Sequence, residues 1–63
     1  MDSDRADLSS VATALDDLTT RVTEVADRYN GTARDDLAAD LYEVERALRT
    51  AARRLARVVS DLD

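Results

Sequence analysis

Several residue types that commonly stabilise or activate a small protein are missing from this sequence. It contains no cysteine, histidine, proline or tryptophan, and Gly31 is its only glycine. Disulfide bonds are therefore excluded, as are the common zinc sites, which use cysteine and histidine. A chain of 63 residues hides only roughly 60% of its unfolded surface, so its own core is marginal. Association with a partner chain is the remaining way to stabilise the fold.

The charge and hydropathy of the chain limit its possible functions. Lysine is absent, the nine basic residues are all arginine, and 14 acidic residues bring the net charge to −5. This charge argues against general binding to nucleic acid or to an anionic membrane. No apolar run reaches the roughly 18 residues of a membrane span, and no signal-peptide core is visible. We therefore expect no nucleic-acid partner, no membrane association and a cytoplasmic location.

Two stretches show the apolar repeat of an amphipathic helix. In each, apolar residues recur at alternating steps of three and four, which defines positions a and d of a heptad. Apart from Ala51 and Leu62, these are the predicted core and interface positions, with Val59 added at position e. Position a holds Leu8, Leu15, Val22, Tyr29, Leu41, Leu48, Leu55 and Leu62, and position d holds Val11, Leu18, Val25, Leu37, Val44, Ala51 and Val58. Alanines at position e, such as Ala12, Ala26, Ala38 and Ala52, widen both stripes.

The repeat loses its phase within DRYNGTARDD, residues 27–36. Asn30-Gly31 is typical of a helix stop, in which glycine adopts the left-handed conformation. Thr32 is the predicted N-cap of the next helix, and Asp35 completes a pair that is similar to a capping box. We predict one domain, residues 1–63, with helices at about 3–29 and 33–61 joined by a turn at 30–32.

A turn of this length makes the two helices antiparallel neighbours. The predicted fold is therefore all-α, an antiparallel two-helix hairpin that resembles a coiled coil. Folding the chain at Gly31 places Leu8 level with Leu55 and brings Arg21 opposite Asp40. The exposed charges are expected to select this register, since a slid register loses many pairs at once.

Two helices cover each other along one seam only, so part of each apolar stripe remains exposed to solvent. A stripe wider than positions a and d is typical of bundles with three or more helices. We therefore expect two hairpins to form a four-helix bundle, most simply as a homodimer. A hairpin that pairs with another small helical protein is the alternative. Tyr42 falls at position b beside the seam, where one hairpin does not easily bury it, so it is the candidate partner contact.

Catalytic and metal-binding patterns are not found in the sequence. The serines have no histidine as a base, and the acidic residues fall on outer helix positions. We predict no catalytic site, no metal and no cofactor, and a non-enzymatic protein–protein interaction module that self-associates through its aliphatic face. The alternative from the residues is a regulator that senses a small anion or nucleotide through outer-face arginines. Those arginines are Arg46, Arg49, Arg53, Arg54 and Arg57.

The turn also carries a resemblance to a known family. Tyr29-Asn30-Gly31, followed by Ala33, resembles the W-x-G turn of the WXG100, or ESAT-6-like, family, and residues 29–55 resemble its second half. Tyr29 stands at the position of the family's tryptophan, and Gly31 matches its glycine. The family consists of small acidic helical hairpins, commonly dimeric, that type VII secretion systems export. The resemblance, which covers less than half of the chain, implies a secreted substrate of such a system or a partner of one.

Overall fold

Two α-helices form nearly all of the structure, which is a computed structural model. Helix α1 spans Asp2–Tyr29 and helix α2 spans Asp35–Asp61. The structure describes residues 2–62, with side chains from Ser3 onward, and Met1 and Asp63 of the predicted domain lie outside this range. The helices pack side by side, and residues 2–62 contain no strand. The predicted all-α hairpin is thus confirmed, as a slab of 49 × 14 × 9 Å that is one helix thick.

Gly31 closes α1 in the predicted conformation. Its φ is +76°, in the left-handed region that glycine enters without steric cost. The Asn30 N–H still donates to the Ala26 carbonyl at 3.0 Å, whereas the Thr32 N–H donates to the Tyr29 carbonyl at 3.1 Å. The chain therefore leaves the helix at the residue where the sequence predicts it.

The start of α2 differs from the prediction. The helix begins at Asp35 rather than at residue 33, and Arg34 occupies the N-cap position without a capping hydrogen bond from its side chain. The Thr32 hydroxyl donates to the Tyr29 carbonyl at 2.6 Å and accepts from the Arg34 N–H at 3.1 Å. It is thus used to close the turn and does not pair with Asp35 in a capping box. The turn consequently covers residues 30–34.

The two helices are also shifted from the predicted register by about one helical turn. Leu8 lies with Val58 and Leu62 at the open end of the hairpin, whereas Leu55 was predicted at its level. The longer turn moves the point of reversal towards the C-terminus. In addition, side chains on a helix point towards the N-terminus of that helix. The two residues of a contact between helices therefore both have higher numbers than a pairing by backbone level alone would give.

Charge pairs do not follow the predicted register either. The Arg21 guanidinium lies 3.7 Å from the Asp17 carboxylate on its own helix, whereas the predicted partner was Asp40 on α2. Residues three or four positions apart meet on one helix whatever the register, and an exposed pair stabilises by only about 0.2–1 kcal/mol. The charges were therefore a poor guide to the register. Two further pairs within α2 are Arg46 with Glu43 at 3.1 Å and Arg49 with Glu45 at 3.6 Å.

The seam between the helices runs along positions a and e, whereas positions a and d were predicted. Ala26 and Ala38, both at e, are 0% and 1% exposed. Their small side chains let the helices approach closely, because the distance between helix axes depends on the side chains at the contact. Thr19, also at e, is buried and donates its hydroxyl to the Leu15 carbonyl at 2.7 Å. Half-buried apolar side chains complete the seam: Leu8, Leu15, Val22, Leu41, Leu48, Leu55 and Val59.

Candidate interaction surface

The residues at position d form one broad face of the hairpin. When antiparallel helices meet through a and e, their two d rows turn to the same side. Towards the turn, Val25 and Leu37 of these rows are half-buried. Further from it, the larger d side chains are 45–47% exposed. We call this surface the apolar face, and it consists of Val11, Leu18, Val25, Leu37, Val44, Ala51 and Val58.

The exposed area of the chain is large for its mass. A compact monomer of 6.9 kDa exposes about 4000 Å², whereas this chain exposes 4728 Å². None of the large side chains described in the structure is fully buried, and Tyr29, a predicted core residue, is 39% exposed. Much of the apolar surface of the chain therefore remains exposed to solvent in the hairpin.

The opposite broad side, which we call the polar face, is closed by hydrogen bonds between the helices. The Tyr42 hydroxyl donates to the Asp27 carboxylate at 2.6 Å. Nearby, the Thr23 hydroxyl donates to the carboxylate of Glu45. Both bonds join α1 to α2 at the edge of the seam. The polar face consists of Thr23, Asp27, Tyr42 and Glu45.

Tyr42, the predicted partner contact, thus bonds to α1 of its own hairpin. Its ring is half-buried there, although the sequence indicated that one hairpin would not easily bury it. The hydrogen bond to Asp27 stabilises the protonated phenol and raises the pKa of Tyr42, and desolvation acts in the same direction. A contact between Tyr42 and a second protein remains a prediction.

The outer-face arginines lie on the exposed side of α2. Arg46 and Arg49 reach acidic groups one turn away on the same helix, and all five arginines are exposed. At the turn, Arg34 donates to Asp36 through Nε at 3.2 Å, and this bond lowers the pKa of the Asp36 carboxyl. Binding of a small anion or nucleotide by these arginines remains a prediction.

An open pocket of about 370 Å³ lies where the apolar face reaches the open end of the hairpin. Leu8, Val58 and Leu62 supply its apolar lining, and Asp4 and Asp7 add two carboxylates. The sequence-based site residues did not include either aspartate. A signal was present, because Asp4 continues the d row of α1 one heptad before Val11.

Between residues 2 and 62, no three acidic side chains converge as a metal site would require. Within that range, neither helix combines the length and the apolar character that crossing a membrane requires.

Comparison with protein-family models, with curated proteins and with solved structures found no significant match. The resemblance of Tyr29, Asn30 and Gly31 to the WXG100 turn therefore stays a prediction, as does the export that it implies.

Proposed function

We propose that this chain is a non-enzymatic interaction module that self-associates through its apolar face, as two hairpins in a four-helix bundle. The observation that carries the proposal is the exposure of the apolar face. Val11 and Val58 are 47% exposed and Leu18 is 46% exposed, all on one side of the hairpin. A row of large aliphatic side chains in water is typical of a surface that another protein covers.

The dimensions of the face fit a second copy. The broad side of the hairpin measures 49 × 14 Å, a footprint close to the about 800 Å² that each partner buries in a stable complex. A symmetric dimer brings the same face of both copies together, so that one apolar surface covers the other. The bundle would then bury the d rows as thoroughly as the seam buries the alanines.

The stability of the hairpin points in the same direction. Its fully buried side chains are small, namely Ala26 and Ala38, and the sequence has no cysteine to form a disulfide. A single core of this size rarely supplies more than about 3–5 kcal/mol, and such a bond, a metal or a partner chain usually adds to it. Self-association would add buried apolar area without any further component.

The experiment is light scattering on the purified chain during gel filtration, with one variant on the apolar face and one away from it. The wild type is expected to show about twice its 6.9 kDa mass. Val44→Glu places a charge in the apolar face and should yield the monomer, because an unpaired charge is costly to bury. Ala39→Glu adds the same charge at an exposed outer position and should leave the dimer intact.

Either of two results would contradict the proposal. One is a wild-type monomer at every concentration up to about 1 mM, which would leave any association weaker than about −4 kcal/mol. The other is a dimer that Val44→Glu leaves unchanged, which would show that another surface mediates association. Circular dichroism on both variants establishes that a change in mass does not result from unfolding.

A further inference from the structure

The side chains of the apolar face lie in layers across the two helices. The hydrogen bond between Tyr42 and Asp27 fixes which residues lie at the same level. Val25 and Val44 each lie two positions from that bond towards the open end, so they form one layer. Each further layer follows one heptad along both helices. In order from the turn, the layers are Val25 with Val44, Leu18 with Ala51, and Val11 with Val58.

The middle layer is uneven. Leu18 carries a full isobutyl group and is 46% exposed, whereas Ala51 ends at Cβ. The layers on either side have valine on both helices, so the face is raised over α1 at Leu18 and lowered over α2 at Ala51. A second copy that covers the face must match both features, because protein interiors contain few voids larger than a water molecule.

One symmetric dimer has both turns at the same end, about a two-fold axis parallel to the helices. α1 then lies over α2 of the second copy, and the symmetry keeps every layer at its own level. Leu18 of each copy lies over Ala51 of the other, so the raised part of the face meets the lowered part twice. The two valine layers meet valine layers. Every side chain that is nearly half exposed on this face is therefore covered by a partner of matching size.

The other symmetric dimer has its turns at opposite ends, and each helix then lies over its own copy. When the middle layers coincide, Leu18 meets Leu18 and Ala51 meets Ala51 of the second copy, which separates the faces over α1 and leaves a void over α2. Sliding one copy by one heptad in either direction avoids both contacts. It leaves either Val11 or Val44, which are 47% and 45% exposed, with no d side chain opposite. In no register does Leu18 meet Ala51.

The exposed charges at position g, which border the face, do not decide between the two dimers. With the turns at the same end, Asp7 opposes Asp61 and Arg28 opposes Asp40 of the second copy. With the turns at opposite ends and the middle layers aligned, Asp7 opposes Arg28 and Asp61 opposes Asp40. Each dimer thus holds one kind of like-sign pair and one kind of opposite-sign pair, and exposed pairs contribute little in any case. The choice depends on packing.

We infer that two copies associate with their turns at the same end, and that Leu18 of each copy fits over Ala51 of the other. The inference depends on the proposed self-association, and it adds the orientation and the side chains that face each other. Ala51 is then the residue that decides which second chain fits, because only a small side chain leaves room for the facing leucine.

The orientation can be measured as a distance between the two turns. Because the chain has no cysteine, Ala33→Cys carries one spin label per copy at an exposed turn position. Electron–electron double resonance should find the labels within about 25 Å of each other in the dimer, since neighbouring helices are about 10 Å apart. Turns at opposite ends would instead place them at least about 30 Å apart, given a rise of about 1.5 Å per residue.

A change of size at Ala51 tests the contact itself. Ala51→Leu places leucine against Leu18 of the second copy and should raise the dimer dissociation constant at least about fivefold, because an overfilled core is strained. With the turns at opposite ends, the same change would fill space over α2 and lower the constant. The matched control is Ala56→Leu, an exposed position on the opposite broad side of α2, which should leave the constant unchanged.

The outcomes separate this inference from the proposed function. A dimer whose labels lie at least about 30 Å apart would overturn the orientation and leave self-association intact, and so would an unchanged or lower dissociation constant for Ala51→Leu. A monomeric wild type in light scattering would overturn both. Dimers with close labels that Ala51→Leu weakens and Ala56→Leu does not weaken support the inference.

Discussion

The two broad faces of the hairpin come from the same two helices, yet they are closed in different ways. On the polar face, the Tyr42 hydroxyl donates a hydrogen bond to the Asp27 carboxylate across the seam, so these polar groups find partners within one chain. On the apolar face, Leu18 and Val44 remain nearly half exposed because no second layer of helices covers them. The polar face therefore stabilises the hairpin itself, and the apolar face is available for association.

The origin of this difference is the e row. Since Ala26 and Ala38 bring the helices together along e, the bulkier d residues turn away from the contact. The close approach leaves the long side chains of Tyr42 and Glu45 near enough to α1 to bond there. Small residues in the seam thus decide which broad side becomes polar and which stays apolar.

The largest expected effect separates the seam from the apolar face. Leu15→Asp places a charge in the half-buried seam and should lower the free energy of unfolding by about 3 kcal/mol or more, enough to unfold the hairpin. Leu18→Asp, three positions later on the apolar face, should keep its helical circular dichroism while dissociating the dimer. Equal loss of helicity in both variants would show that the seam and the apolar face are not separable.

A smaller effect is expected at the turn, which holds both faces in register. Gly31→Val should lower the free energy of unfolding by about 1–3 kcal/mol, because a β-branched residue is strained at φ +76°. Beyond Gly31 and its two chain neighbours, no atom lies within 4 Å of the position that a Cβ would take, so the substitution tests backbone strain. Gly31→Asn is the control and should cost less, since asparagine tolerates this conformation. Thermal melting of both variants measures the difference.

The polar face should respond more weakly than the seam or the turn. Tyr42→Phe removes the hydroxyl that bonds to Asp27 and should lower Tm by a few degrees. The mass in light scattering should stay that of the dimer, because the polar face takes no part in the proposed association. A shift to monomer would instead assign Tyr42 to the interface, as the sequence indicated.

The smallest expected effect is a change in the titration of Tyr42. In a Tyr29→Phe background, absorbance near the tyrosinate band reports Tyr42 alone, and its pKa should lie above the ordinary value of 10.0. Asp27→Ala should bring this pKa down. Since the pKa is raised in the folded state, the hydrogen bond stabilises the fold at neutral pH, and this contribution is lost as pH rises through the folded pKa. An unchanged pKa in Asp27→Ala would refute the contact.

Some features could be predicted residue by residue because they are local. Gly31 is left-handed as expected, since only glycine does this without cost, and α1 ends at Tyr29 as expected. The start of α2 could not be predicted as well, because the Thr32 hydroxyl can bond either forward as a cap or back to Tyr29. Both choices use the same hydroxyl, so the residue types around it do not distinguish them.

The candidate surface was predicted less completely than the fold. The apolar rows were identified, but whether Val44 or Ala38 faces the other helix depends on how closely the two backbones approach. The bond from Tyr42 to Asp27 depends on the register, and so does the pocket between Leu8 and Leu62. A heptad pattern does not specify the axial register between two neighbouring helices.

The sequence by itself determined that this chain forms two amphipathic helices with a reversal at Gly31. It could do so because helix hydrogen bonds join residues four apart and a positive φ is a property of one residue. Only the tertiary structure decided that e rather than d lies in the seam, and that Thr23 meets Glu45, 22 positions away. Those choices depend on the balance of close packing and hydrogen bonding between segments distant in the chain, which no local pattern specifies.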